Sequence, residues 1–234
     1  AAHPDFMTPD PTKLQADLET GLQLEEVLAE LATRFLNGPT LEDVGLEMER
    51  AQRRLCDLLG FDRSSVWRRD ESDGAMRLLR LVQPSEVPSP EPGMDAAAAF
   101  PFTTARILSG HAVILSSIEE LPPEAARDLA SFRRFRTKST AVLPLSAGGR
   151  VIGAFTFAAV RNAQEWPPTV VRRLELVAGI FASALFRSNS EAAYRSVSGR
   201  LIDAQERERA RLAQELHDGM GQQLAMLAVE IQLL

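Results

Sequence analysis

Apolar residues recur at helical spacing near both ends of this chain, and they alternate with polar ones through its middle. From Leu14 they fall at Leu18, Leu22, Leu24, Val27, Leu28, Leu31 and Phe35, which predicts a helix over 14–36 ended by Asn37-Gly38-Pro39. A second helix is expected from Leu41 to Leu59, stopped by Gly60. Ser65–Arg68 and Met76–Val82 read as short strands on either side of the turn-rich stretch Asp70–Gly74. Pro88, Pro90 and Pro92 make Ser85–Gly93 a loop. Thr103–Ser109 reads as a short helix, Ala112–Leu115 as a strand and Pro123–Phe135 as another helix. The clearest element is a hairpin, Thr140–Leu145 and Val151–Phe157 around a turn at Ala147-Gly148-Gly149. A last helix, Pro167–Ser188, carries Val171, Leu174, Val177, Ala178, Phe181 and Leu185 on one face.

Leu201–Leu234 reads as one long charged helix with a narrow seam: Leu212, Leu216, Met220, Leu224, Leu227, Ile231 and Leu234. The steps of 4, 4, 4, 3, 4 and 3 average close to the 3.5 of a coiled-coil face. Upstream, Glu206, Arg207, Glu208, Arg209 and Arg211 are too charged for a core. Asp203–Arg207 is a favourable i,i+4 pair worth about 0.2–0.5 kcal/mol, and like-charged Arg207–Arg211 costs a similar amount. Local pairing does not explain this helix, so a partner helix is expected. Gly219 and Gly221 each cost about 0.8–1.0 kcal/mol relative to alanine inside a helix. They mark a place where bulk is unwelcome or the helix bends. The other reading ends the helix at Gly219 and starts a second at Gln222, against which stands the unbroken seam.

Between those glycines and the charged run lies the chemistry. His217, flanking the seam, is followed directly by Asp218, with Gln222 four residues further on and on the same helical face as Asp218. An imidazole held in its neutral tautomer by a carboxylate is a nucleophile for a phosphoryl group. A carboxamide one turn on suits positioning a water for the hydrolytic reverse. The run Glu208-Arg209-Ala210-Arg211-Leu212-Ala213-Gln214-Glu215-Leu216-His217-Asp218, then Gln222 and Leu224, resembles the phosphoacceptor helix of two-component sensor histidine kinases of the nitrate/nitrite-sensor-like kind. That resemblance implies that His217 accepts phosphate from ATP, with Asp218 as orienting base, and passes it to an aspartate of a response regulator. It also implies that Gln222, with Asp218, supports dephosphorylation of that regulator. ATP and Mg would belong to a nucleotide-binding domain, which these residues do not include. Asp218-Gly219-Met220-Gly221 has the wrong spacing for its glycine box, so this stretch of chain is expected to be inert towards ATP alone.

In the middle of the chain, Ser139-Thr140-Ala141-Val142-Leu143-Pro144-Leu145, Gly149-Arg150-Val151-Ile152-Gly153 and Phe155-Thr156-Phe157 match a hairpin pattern. With Leu108–Ile114, and with the element order, they resemble the GAF domain, a small-ligand and signalling module. The implied fold is α+β, a GAF-type antiparallel sheet flanked by helices and followed by a long coiled-coil helix. The division expected is 1–19 linker and helix start, 20–187 sensor, and 188–234 signalling and first dimerisation helix. Trp67, Leu79, Leu81, Phe132, Phe155 and Phe157 are candidates to line a ligand pocket, and each serves a core as well. The motif of cyclic-nucleotide-binding members and the cysteine of bilin-binding members are absent. A sulfoxide reductase of this fold needs more than one cysteine. His111 as a haem ligand is the weaker reading, since it follows Ser109-Gly110 as a turn residue does. The basic run Arg133–Lys138 either meets an anion or is the solvated end of a helix.

Composition narrows this picture. Net charge is −6, with 26 Lys and Arg against 32 Asp and Glu, which argues against nucleic-acid binding. A lone cysteine, Cys56, excludes an intramolecular disulfide and fits a reducing, cytoplasmic compartment, with core packing its ordinary role. No stretch reaches the roughly 18–20 apolar residues of a membrane span. The chain starts without methionine and stops within a pattern at Leu233-Leu234, so a fragment is expected, and an anchor upstream in the parent stays open. The expected partners are a second copy, a response regulator and a small molecule in the sensor. The rival reading is a non-enzymatic ligand-binding module whose last helix only dimerises.

Overall fold

The computed structural model describes residues 11–36 and 43–191, and beyond them 194, 203, 205–209 and 211. The chain divides into two compact units, Ala1–Ser188 and Asn189–Leu234. The first opens with α1 (Pro11–Leu36) and α2 (Asp43–Leu59). Proline suits the start of α1, where its missing N–H leaves no intrahelical bond unmade. The order continues β1 (Arg63–Arg69), β2 (Met76–Val82), α3 (Ala96–Ala99), α4 (Pro101–Leu108), β3 (Val113–Leu115), α5 (Ala126–Arg134), β4 (Ser139–Ala147) and β5 (Arg150–Ala159). A sixth helix, α6, spans residues 168–191.

Two elements differ from the expectation. α3 has no apolar periodicity to betray it, because it is four alanines; the Asp95 carboxylate starts it by accepting from the Ala97 N–H at 3.1 Å. The helix expected over Pro123–Phe135 begins instead as a 3₁₀ turn, Pro123–Ala125, before α5.

The five strands form one antiparallel sheet in the order β2-β1-β5-β4-β3. Gly148 and Gly149 join β4 to β5 with φ of 59° and 75°, the two left-handed positions that a tight two-residue hairpin requires. Alternation along β5 sets the two layers. Phe155 and Phe157, both fully buried, pack with Leu24 and Phe35 of α1, Met48 and Leu55 of α2, and Leu174 and Phe181 of α6. The Phe155 ring meets Phe181 at 4.9 Å between centroids. Their small neighbours Ala154, Thr156 and Ala158 look the other way, towards α4 and α5. On that side a smaller apolar cluster gathers Trp67, Ile107, Phe132 and Val142.

The pairing of β1 with β2 is bulged. Val66 opposes Arg80 and Trp67 opposes Leu78, so Leu79 has no partner and the parity of β2 switches there. Leu79 consequently packs with the α1–α2–α6 layer, while Leu78 and Leu81 lie on the Trp67 side.

Gly153 sits opposite Arg68 on one side and Leu145 on the other, where a Cβ would come within 2.3 Å of the Trp67 carbonyl oxygen. Backbone cannot yield as a flexible side chain can. Gly153→Ala is expected to cost about 1–3 kcal/mol of stability, seen as a lower urea midpoint at unchanged slope.

Candidate functional site

His217, Asp218 and Gln222 lie outside the described residues, as do Gly219, Gly221 and the seam from Leu212 to Leu234. In the described part of the second unit, Arg207 Nε donates to the backbone carbonyl of Asp203 at 3.0 Å, not to its carboxylate. Arg211 pairs with Glu208 at 2.6 Å, and this hydrogen bond lowers the carboxyl pKa of Glu208.

The first unit holds a cavity between the sheet and the α3–α4–α5 cover. The sheet contributes Arg63, Ser65 and Trp67 from β1, Thr140 and Val142 from β4, and Ala154, Thr156 and Ala158 from β5. The cover contributes Ala96, Phe100, Thr103, Thr104 and Ile107 from α3, α4 and their junction, with Phe132 from α5 and Phe135 just after it. The cavity measures about 80 Å³, several times the roughly 10–15 Å³ that one water needs.

Local structure holds each wall in place. The Trp67 indole N–H donates to Ser65 Oγ at 2.9 Å, and Ser65 Oγ in turn meets Thr156 Oγ1 at 2.5 Å, so β1 and β5 share a polar clasp on the cavity floor. Thr140 Oγ1 donates to the Phe157 carbonyl at 2.8 Å. Asp128 of α5 is fully buried and accepts from the Phe102 and Thr103 N–H groups at 3.0 and 2.8 Å. These are free donors in the first turn of α4, so one carboxylate satisfies the helix start and ties the two cover helices together. Ser131 Oγ donates to the Ala99 carbonyl at 2.6 Å and fastens the same cover to α3.

Arg63 is the one charged side chain among the lining residues, and it is 8% exposed. Its guanidinium donates to the Phe135 carbonyl and, at a long 3.5 Å, to Thr137 Oγ1. Its Nε is buried and has no hydrogen-bond partner. The neighbouring Asp62 carboxylate turns away to Arg161, at 3.4 Å, and to the N–H of Val160, at 2.8 Å. Burial holds the Arg63 pKa down at about 10, against a weaker upward pull from Asp62. Thr103 Oγ1 is a second buried polar atom without a partner.

Of the six residues proposed from sequence as pocket or core, Trp67, Leu81 and Phe132 line the cavity, whereas Leu79, Phe155 and Phe157 belong to the core on the opposite face. Arg63, Thr103, Thr137 and Thr156 were missed. The available signal was the small-residue alternation Ala154-Thr156-Ala158, which leaves room where phenylalanine would fill it. His111 is exposed in the turn between α4 and β3 and is not among the lining residues. The basic run closes α5: Arg133 pairs with Glu119 at 2.8 Å and Arg134 with Glu91 at 2.8 Å, both at the surface. Among the described residues no group of three His, Cys, Asp or Glu side chains is placed to hold a metal, and no helix is long and apolar enough to cross a membrane.

A family model described as GAF domain matches residues 47–185, and one described as histidine kinase matches residues 208–234, the stretch that contains His217, Asp218 and Gln222. No curated protein matches the chain. Among solved structures, the phycocyanobilin-bound GAF domain of a cyanobacterial phytochrome is 15% identical with a TM-score of 0.60, covering 72% of this chain and 96% of that one. The GAF domain of a phosphoenolpyruvate-protein phosphotransferase from Coxiella burnetii is 13% identical with a TM-score of 0.56, covering 74% and 98%. Residues 122 to 287 of a methyl-accepting chemotaxis protein are 19% identical with a TM-score of 0.53, covering 68% and 96%. At such identities the likeness is one of fold.

Cys56, on α2, faces the helical layer, away from the cavity, and burial pushes its thiol pKa up from 9.0 to about 12. At pH 8 the folded thiolate fraction is therefore about a thousandfold below that of an unfolded chain. Maleimide labelling at pH 8 is expected to be very slow in buffer and fast in urea. Because the folded pKa is the higher one, the thiol's contribution to stability is complete below pH 9 and drains away as pH rises towards 12.

Proposed function

Because this chain belongs to the GAF domain family and carries a histidine kinase segment at residues 208–234, we propose that it is the sensory and phosphoacceptor part of a two-component sensor histidine kinase. His217 accepts the phosphoryl group, and the GAF cavity takes a small molecule that governs the transfer. The observation that carries this reading is the match of one chain to both models, with the Glu215-Leu216-His217-Asp218 stretch inside the second.

The chemistry follows from the residue types. A ring nitrogen of His217 attacks the γ-phosphorus of ATP, the bond to the ADP oxygen breaks, and the ring proton on the other nitrogen is held by the Asp218 carboxylate. ATP and Mg²⁺ come with the nucleotide-binding domain of the parent. The phosphoryl group then passes to an aspartate of a response regulator, and Gln222 aligns the water that later removes it. The setting is cytoplasmic, where ATP and the regulator are available and the lone Cys56 stays reduced. Two copies pair along the seam from Leu212 to Leu234, because a lone helix with one apolar stripe leaves that stripe in water.

Incubating the chain with ATP, Mg²⁺ and the nucleotide-binding domain of its parent should label it on His217. Equal labelling of His217→Gln overturns the assignment. In the intact parent, Gln222→Ala should spare autophosphorylation and slow dephosphorylation of the regulator, whereas Asp218→Asn should reduce both. Light scattering at micromolar concentration should give twice the 25.7 kDa chain mass; a monomer rules out the paired seam.

A further inference from the structure

We propose that the GAF cavity selects a small organic monoanion, a carboxylate with a compact apolar body, whose headgroup is gripped by Arg63 and Thr103. This rests on the reading of the cavity as a ligand site and adds the chemistry of the occupant.

The argument starts from unfilled bonding capacity. A guanidinium carries five N–H donors and is never comfortable away from water without acceptors. Arg63 is more than nine-tenths buried, yet its recorded partners are one carbonyl, Phe135, and one distant hydroxyl, Thr137. A separation of 3.5 Å lies beyond the usual span of about 2.7–3.2 Å for an N–H···O bond. Nε has no partner, and the one adjacent carboxylate, Asp62, is committed elsewhere. Nε–H and the terminal N–H beside it form the edge by which arginine takes a carboxylate in two parallel bonds. Thr103 Oγ1, equally buried and equally orphaned, supplies a further donor from the opposite wall. Two side chains with unpartnered polar atoms, from β1 and α4, thus line one small cavity, in which the apolar Trp67, Ile107, Phe132 and Val142 stand beside the hydroxyls of Ser65, Thr140 and Thr156.

The same inventory sets limits. Arg63 is the single cation among the lining residues, so one negative charge is matched and a phosphate dianion is not. Trp67, Ile107, Phe132 and Val142 favour an occupant with an apolar body, which an inorganic anion lacks. A space of about 80 Å³ lies well below the roughly 300–1,000 Å³ of a drug-sized pocket, which restricts the occupant to a few heavy atoms. A purely architectural arginine, placed to tie α5 to β1 through the Phe135 carbonyl, would not distinguish an acid from its amide.

That difference is the test. Calorimetric titrations of the purified chain at pH 7.5 with propionate, isobutyrate, their isosteric amides and nitrate compare headgroup and body separately. At least one acid should bind, tighter than its amide by about tenfold or more, the range of a hydrogen-bonded charge, and tighter than nitrate. Arg63→Met, with folding checked by circular dichroism, should abolish the preference for acid over amide. Ala158→Leu, which fills the cavity and keeps the guanidinium, should weaken acid and amide alike. If Arg63→Met does not fold, Thr103→Val reports on the same headgroup and should weaken the acid several-fold while leaving the amide less affected. The proposal is overturned if neither acid binds, if amide or nitrate binds as well as the acid, or if the acid preference survives both headgroup substitutions. Failure here leaves His217 labelling untouched, and tight binding of a neutral molecule would keep the sensor while removing the anion.

Discussion

Everything in the first unit depends on the two-residue period of β5, the strand that pairs with both β1 and β4. Successive side chains of a strand leave on opposite faces, so one strand makes two surfaces at once. Here the bulky set, Phe155 and Phe157, fills the layer against α1, α2 and α6, and the small set, Ala154, Thr156 and Ala158, leaves the opposite layer underfilled. The first face is a close-packed core, the second the floor of a cavity. Burial of the aromatic face holds the sheet rigid, and a rigid sheet is what allows an incompletely packed face to persist without collapse.

The fold was legible because its elements announce themselves locally. Gly148-Gly149 can only be a turn between two apolar alternating runs, and the helices α1, α2 and α6 each show one continuous apolar face. The cavity was less legible for three separate reasons. Large aromatic residues attract attention as ligand contacts, although filling space is what they do best in a core. The bulge at Leu79 inverts the parity of β2, and no residue type there signals it. Arg63, next to Asp62 in sequence, reads as an ordinary surface pair; only the folded chain shows Asp62 bonded to Arg161 and Val160 while the arginine turns inward.

The stretch proposed as phosphoacceptor presents the reverse situation. Its candidate residues, Glu215, His217 and Asp218, fall within four consecutive positions, so they can be read from the sequence without the rest of the fold. The cavity instead assembles Arg63, Thr103 and Thr137 from β1, α4 and the segment before β4, separated by tens of residues. Chemistry carried by one short stretch can be read along the chain; chemistry carried by a sheet and its cover has to be seen folded.

The β4–β5 turn has one further consequence, for anyone who handles this molecule. Hairpin tips are the usual places to insert an epitope, a dye-bearing cysteine or a circularly permuted terminus. At Gly148, however, an added Cβ would stand 3.1 Å from the ring of Phe186 on α6, in a backbone conformation that already excludes most side chains. A graft at Gly148 presses on the Phe186 side chain, which has to give by a few tenths of an ångström. Gly149, the other residue of the same tip, has no atom within 4 Å of its Cβ position, so the crowding is confined to one of the two turn residues.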